Sequence, residues 1–279
     1  MAKPLIGCAL WSLAIPDTIE SLEAAAKLGF TCVHFTFRQE SDLEPAGLRR
    51  IREAIKRTGL QVPGGMVGFV GEDWSSIAAI RRTGGFLDPA IFPERLECCR
   101  RWGEAHAGLG IRHITTHVGF IPPPSDPRYG GMLDRIGRAA DTFRAAGLTV
   151  GLETGQESGQ VLRQVLADLG RDFVSVNFDP ANFVLYASDD PVAAARVLAP
   201  RVSMAHMKDG TPSDRPGEVW GEEVPLGKGK VDFPGVLAAL AEGGFRGPLL
   251  IEREAGSDRA GDLAAGRRFL EDLLKRLPG

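Results

Sequence analysis

Eight times along its 279 residues the chain passes from a short apolar run into a longer segment of helical periodicity. That alternation leaves few folds open. The apolar runs are Leu5–Leu10, Thr31–Phe37, Leu60–Val67, Ile111–Val118, Leu148–Glu153, Phe173–Asp179, Val202–His206 and Pro248–Glu252. Helical patterns lie near 17–29, 43–58, 89–109, 130–146, 158–169, 190–199, 232–243 and 258–277. Strands alternating with helices run parallel and are joined by right-handed crossovers. At about 35 residues per unit, eight repeats fit a closed barrel better than an open sheet. An open sheet would carry a glycine-rich phosphate turn after its first strand, where this chain reads Leu10-Trp11-Ser12-Leu13-Ala14-Ile15-Pro16. No linker-like segment divides the chain. The expectation is an α/β fold, one (β/α)8 TIM barrel domain spanning residues 1–279.

Boundary residues carry the same message. Gly29, Gly59, Gly110, Gly147 and the Gly243-Gly244 pair each sit between a helical run and a strand, where a left-handed residue ends a helix. Asp17 and prolines 16, 191 and 234 stand near helix starts. Two connections exceed the ~12–15 residues of an ordinary loop: Gly64 to Pro89, containing Trp74, and Met207 to Lys230, containing Trp220 and Lys228. Both follow strands, which places them on the face where barrels build active sites.

Charge narrows the partners. Thirty-three basic residues against thirty-six acidic ones give a net charge of −3, with no bulk attraction to nucleic acid or an anionic membrane. No segment approaches the ~18 apolar residues of a membrane span. Cys8, Cys32, Cys98 and Cys99 form no C-x-x-C pair and read as incidental thiols of a reducing compartment. A cytoplasmic location is expected, with neither nucleic acid nor membrane as partner and a homo-oligomer left open. A chain this long buries roughly three-quarters of its unfolded surface, so any metal it binds is expected to be catalytic rather than structural.

Barrel strands are buried on both faces, and ionisable residues at their C-terminal ends need a reason. Glu153, Asp179, His206 and Glu252 close the last four candidate strands. Separations of 26 and 27 residues match one unit each, and the third, 46, matches one unit plus the second long connection. Each residue taken singly could cap a helix or pair with an arginine. Four in register present three carboxylates and one imidazole to a common point. Such carboxylates raise one another's pKa unless a cation sits among them. A bound divalent metal resolves this, and three oxygen donors with one nitrogen favour Mn²⁺, Mg²⁺ or Co²⁺ over a thiolate-rich zinc site.

At these residues the chain resembles the xylose-isomerase-like barrel family of sugar isomerases and epimerases. The similarity rests on Gly151-Leu152-Glu153-Thr154-Gly155, Asn177-Phe178-Asp179-Pro180-Ala181-Asn182 and His206-Met207-Lys208-Asp209. It continues through Leu226-Gly227-Lys228-Gly229-Lys230-Val231-Asp232-Phe233 and Gly247-Pro248-Leu249-Leu250-Ile251-Glu252. It is strong over about the last 130 residues and rests on strand order alone before them. The resemblance implies that Glu153, Asp179, His206 and Glu252 are ligands of one divalent ion, Mn²⁺ first, with Mg²⁺, Co²⁺ or Zn²⁺ as alternatives. It implies that Glu153 and Glu252 are the acid/base pair acting on a small sugar, free or phosphorylated.

The chemistry agrees. A proton beside a ketose carbonyl becomes removable when a Lewis acid stabilises the enediolate, and carboxylates on opposite faces can take one proton and return another. The same arrangement serves epimerisation, aldose–ketose isomerisation, or, with loss of a β-hydroxyl, dehydration of a sugar or inosose. A repair-endonuclease relative would need more histidines than the five present, and a non-catalytic sugar-binding barrel would not need both glutamates. His117, Asn182 and Lys208 are candidate substrate contacts. Asn182 stands where many relatives have histidine, and Val33-His34-Phe35 stands where many have an acid. Trp11 and Trp220 are expected to pack in the core or rim, Lys228 to be solvated, and Arg253 to form a structural ion pair.

Overall fold

The strands form where β-branched and apolar residues cluster between glycine and proline breaks. A computed structural model describes residues 4–276. Its strands are β1 (Ile6–Ala9), β2 (Cys32–Phe35), β3 (Gln61–Val67), β4 (His113–Thr116), β5 (Thr149–Glu153), β6 (Val174–Phe178), β7 (Val202–Met207), β8 (Asp209–Thr211), β9 (Glu222–Val224) and β10 (Leu249–Ile251). β1 to β7 pair in sequence order, and β10 closes the ring between β7 and β1. Every pairing in the barrel is parallel, and closure sets Gly7 against Leu250 and Cys8 against Ile251. The eight expected strands are therefore the eight barrel strands of a (β/α)8 fold.

The helices are α1 (Thr18–Lys27), α2 (Pro45–Thr58), α3 (Ile77–Thr83), α4 (Phe92–Gly108), α5 (Tyr129–Ala145), α6 (Gly159–Leu169), α7 (Pro180–Tyr186), α8 (Pro191–Leu198), α9 (Phe233–Glu242) and α10 (Arg259–Arg276). Asp17, Ser158 and Asp190 cap α1, α6 and α8 by accepting from first-turn amides. Gly59 and Gly147 follow α2 and α5 with φ of 69° and 81°, the left-handed geometry that an L side chain resists. Among the described residues no helix is long and apolar enough to cross a membrane.

Most of the core lies between strands and helices, with a smaller apolar cluster of Cys32, Met204 and Leu250 inside the barrel. Alternation along a strand places every second residue on the same side. The interior series is Met204, His206, Lys208 along β7 and beyond, and Leu250, Glu252, Glu254 along β10 and beyond. Both begin at the apolar plug, and Lys208, Glu252 and Glu254 line the pocket above it.

The long connections are structured. Gly64–Pro89 contains the end of β3 and the short α3, and is tied down where Arg95 donates to the carbonyls of Thr83 and Gly85 and Glu72 accepts from the Gly85 amide. Met207–Lys230 folds as the antiparallel hairpin β8–β9 and wraps around the buried Asp209 carboxylate, which accepts from the amides of Gly210, Gly227, Gly229 and Val231 at 2.8–3.2 Å. Arg253 forms the expected structural pairs, with Glu223 and Asp262 at 2.8 Å each. Asp209→Ala leaves buried amides without an acceptor. We expect it to cost about 2–3 kcal/mol and to open residues 212–230 to limited proteolysis below the melting temperature; thermal melts and protease mapping check this.

Candidate metal centre

Four strand ends converge on one point. Glu153 is the last residue of β5, Asp179 directly follows β6, His206 is the penultimate residue of β7 and Glu252 directly follows β10. All four are buried, and one ligand-type atom from each lies within 4.8 Å of the others. The cluster could hold one metal ion.

Local hydrogen bonds aim each side chain. Asp179 Oδ1 caps α7 by accepting from the Ala181 and Asn182 amides at 2.8 and 3.3 Å, which leaves Oδ2 for the cluster. Thr154 Oγ1 bridges the Asp179 amide and carbonyl and fixes the turn after β6. Trp11 Nε1 donates to Glu252 Oε1 at 2.7 Å while its ring stands edge-on to His34 and His206; the expected packing residue also positions a carboxylate. His206 presents Nδ1 to Glu153 Oε1 at 3.0 Å and to Glu252 Oε2 at 3.3 Å.

Behind His206 runs a buried chain across the barrel. His206 Nε2 lies 2.8 Å from His34 Nδ1, His34 Nε2 lies 3.1 Å from Thr115 Oγ1, and Thr115 Oγ1 donates to Met66 Sδ at 3.0 Å. Thr115 spends its hydrogen on sulfur and so accepts from His34 Nε2–H. In that direction His34 Nδ1 accepts from His206 Nε2–H, which requires the Asn177 side-chain amide, 3.2 Å from the same nitrogen, to turn its oxygen toward it. This direction leaves His206 Nδ1 as the nitrogen that can bind a cation, the second-sphere arrangement that orients metal-ligating histidines.

Electrostatics test whether a cation fits. Burial and the neighbouring Glu252 and Glu153 charges push Asp179 up to about 8, against the pull of Lys208. Burial opposes charge on His206, yet Glu252 and Glu153 hold its pKa well above the ordinary value. Glu252 stays well below its usual range despite burial because Lys208 and His206 face it. Glu153 is also lowered against burial, by His117 and His206. Glu153 Oε2 and Asp179 Oδ2 are buried and accept no hydrogen bond, although they face His117 Nε2 at 3.2 Å and Lys208 Nζ at 3.7 Å. Carboxylate oxygens left this way are costly, and a divalent ion at the common point would satisfy both. The donor set fits.

Glu153 and Glu252 of the cluster line a cavity of about 120 Å³ together with Trp74, His117, Gly155, Gln156, Asn182, Tyr186, Lys208 and Glu254. His117 directly follows β4, with Nε2 3.2 Å from Glu153 Oε2 and its ring beneath Trp74. Asn182 donates to the Thr154 carbonyl at 2.9 Å. Lys208 Nζ is held by Glu254 at 2.8 Å, Glu252 at 3.1 Å and Asp179 at 3.7 Å. The three candidate contacts thus line the same cavity as Glu153 and Glu252. Trp220 packs edge-on against Tyr186 at the rim. Sequence reasoning did not select Gln156, Tyr186 or Glu254. Of these, Glu254 was within reach, because it continues the inward alternation two residues past Glu252.

A parallel eight-stranded barrel with three carboxylates and an imidazole gathered at its C-terminal face defines a (β/α)8 protein with a candidate divalent-metal site. The chain belongs to the xylose isomerase-like TIM barrel family, whose sequence model matches residues 22–273. A xylose isomerase domain protein from Planctomyces limnophilus is 32% identical, with 92% of this chain and 93% of that one covered and a TM-score of 0.87. A xylose isomerase-like TIM barrel protein from Mycobacterium smegmatis, crystallised in complex with magnesium, shares the fold at 17% identity and a TM-score of 0.74, with 98% of this chain and 97% of that one covered. The curated protein "Putative L-ribulose-5-phosphate 3-epimerase SgbU" of Escherichia coli (strain K12) is 30% identical over 111 residues, which span only 38% of each protein.

Metal binding should displace protons from Asp179 and His206. Both are protonated near neutral pH without an ion, so affinity for Mg²⁺ or Mn²⁺ should rise with pH by about tenfold per unit per displaced proton. The Asp179 share should level off above pH 8, its pKa being about 8. Calorimetry in buffers of different ionisation enthalpy counts the protons. His34→Leu removes the acceptor for His206 Nε2–H and should weaken metal binding by about 10–100-fold. His34→Gln, which keeps an acceptor, should recover part of the loss.

Proposed function

We propose that this protein is a divalent-metal-dependent sugar epimerase or isomerase that moves a proton beside the carbonyl of a small keto sugar. The observation that carries the reading is the placement of Glu153 and Glu252 in one cluster and one cavity, on barrel strands separated by two others. A divalent cation held by Glu153, Asp179, His206 and Glu252 would supply Lewis-acid stabilisation of the negative charge that develops on the substrate oxygens. Mn²⁺ or Mg²⁺ suits the oxygen-rich donor set.

The protein's own residues supply the rest. Glu153 and Glu252 are both held ionised by neighbouring positive charge, so either can accept a proton from the carbon beside the carbonyl. The other, ionised in the resting site, must first take up a proton from solvent and then returns it to the opposite face, and the direction of turnover decides which is base. His117 and Asn182 offer hydrogen bonds to substrate hydroxyls. Lys208 keeps Glu252 ionised and adds a fixed positive charge near the reacting oxygens. Trp74 covers His117 and limits water at the pocket mouth.

Metal-loaded protein incubated with ketoses in D₂O should introduce deuterium at the carbon beside the carbonyl without loss of water, read by NMR. An enone product would instead establish dehydration, and no exchange with any ketose would sink the reading. Glu153→Gln and Glu252→Gln should each lower kcat by about 10²–10⁴-fold. Metal content measured on the same samples separates loss of the base from loss of the ion.

A further inference from the structure

We propose that the substrate of this pocket carries no phosphate group. The inference rests on the sugar reading above and narrows it. Barrels of this architecture commonly hold phosphate in the loops after their seventh and eighth strands, with main-chain N–H groups of glycine-rich turns or helix N-termini aimed at the anion. This chain has suitable backbone in both places and has filled both with its own carboxylates.

After the seventh barrel strand, β7, the turn Gly227-Lys228-Gly229 has the composition of an anion cradle. Its glycine amides donate to Asp209 Oδ2 at 2.9 and 2.8 Å, while Oδ1 takes the amides of Gly210 and Val231. The fit is tight enough that a Cβ on Gly229 would lie 2.2 Å from Asp209 Oδ1. After the eighth barrel strand, β10, the amides of Glu254 and Ala255 donate to Glu223 Oε1 at 2.8 and 3.3 Å. Arg253, in the same loop, is committed to Glu223 and Asp262. Neither loop has these donors to offer a phosphate.

The pocket repeats the pattern with side chains. Among the described residues Lys208 is the one lysine or arginine that lines it. Its ammonium group is already surrounded by Glu254, Glu252 and Asp179. Glu254, with its side chain half exposed at the mouth, is the outermost of these and places a negative charge where a phosphorylated end would enter. The remaining lining groups, His117, Gln156, Asn182 and Tyr186, match neutral hydroxyls. The inference distinguishes this chain from the 5-phosphate in the name of its Escherichia coli relative.

Matched pairs test it: L-ribulose with its 5-phosphate, and D-fructose with its 6-phosphate, measured by calorimetry and turnover on the metal-loaded protein. For a pair that binds, the free sugar should be favoured by roughly 100-fold or more, since a phosphate finds no partner there. Glu254→Gln should narrow that gap, and inorganic phosphate should neither bind nor inhibit. An ester bound as tightly as its free sugar, saturable phosphate binding, or a gap unmoved by Glu254→Gln overturns the inference. Free sugars that bind without proton exchange would overturn the epimerase reading and leave this inference standing. Failure of every member of both pairs to bind would remove the sugar site on which it rests.

Discussion

Three carboxylates buried within a few ångströms of one another cannot all stay ionised without compensating charge. Much of the barrel's polar interior answers that constraint. Lys208 supplies one fixed positive charge, and His206 supplies a second by keeping a proton its burial would otherwise remove. Asp179 still rises to about 8, so the protein alone balances the cluster only by protonating one of its members. The surrounding residues hold the remaining oxygens still rather than neutralise them: Trp11 takes one oxygen of Glu252, and the α7 amides take one of Asp179. Beneath lies the apolar plug of Met204 and Leu250, which excludes the water that would otherwise screen these charges. A divalent cation at the common point would supply that compensation without protonating Asp179.

The barrel was legible because its signals are local and repeated. Each of the eight apolar runs is bounded by breakers and followed by a helical period, and one misread boundary would not have changed the count. The convergence of Glu153, Asp179, His206 and Glu252 was legible for a related reason. An ionisable residue at the end of a strand buried on both faces stands out against its neighbours, and unit-length spacing places such residues on adjacent strands. The roles of these residues in turnover are a chemical inference from that convergence, in the sequence and in the structure alike.

What escaped sequence reasoning depends on contacts between segments distant in the chain. The seven-residue helices α3 and α7 are too short to show a helical period. The hairpin β8–β9 is built of three-residue strands held by pairing and by Asp209. Asp209 appeared in the sequence as the end of a His-Met-Lys-Asp motif, with nothing to separate a ligand-like acid from a loop clamp. Only the four amides folded around it decide that. Glu223 is similar: an acid in a loop becomes the anchor of the turn after β10 through contacts with Arg253, Glu254 and Ala255.

His34 shows how a departure from a family pattern can be resolved by geometry. It appears in the second strand, where many relatives have an acid. The structure places it beneath the cluster, outside the residues that line the cavity. There it joins β2 to β7 through His206 and to β4 through Thr115, and Thr115 extends the chain to Met66 on β3. A carboxylate at this depth would add a further negative charge to a site already short of positive charge. A neutral imidazole, its pKa lowered by burial and by the facing His206, accepts one hydrogen bond and donates another, and so passes direction through the barrel without adding charge. The departure therefore bears on how His206 is held, and the cavity above is left to be shaped by Trp74, Asn182, Lys208 and Glu254.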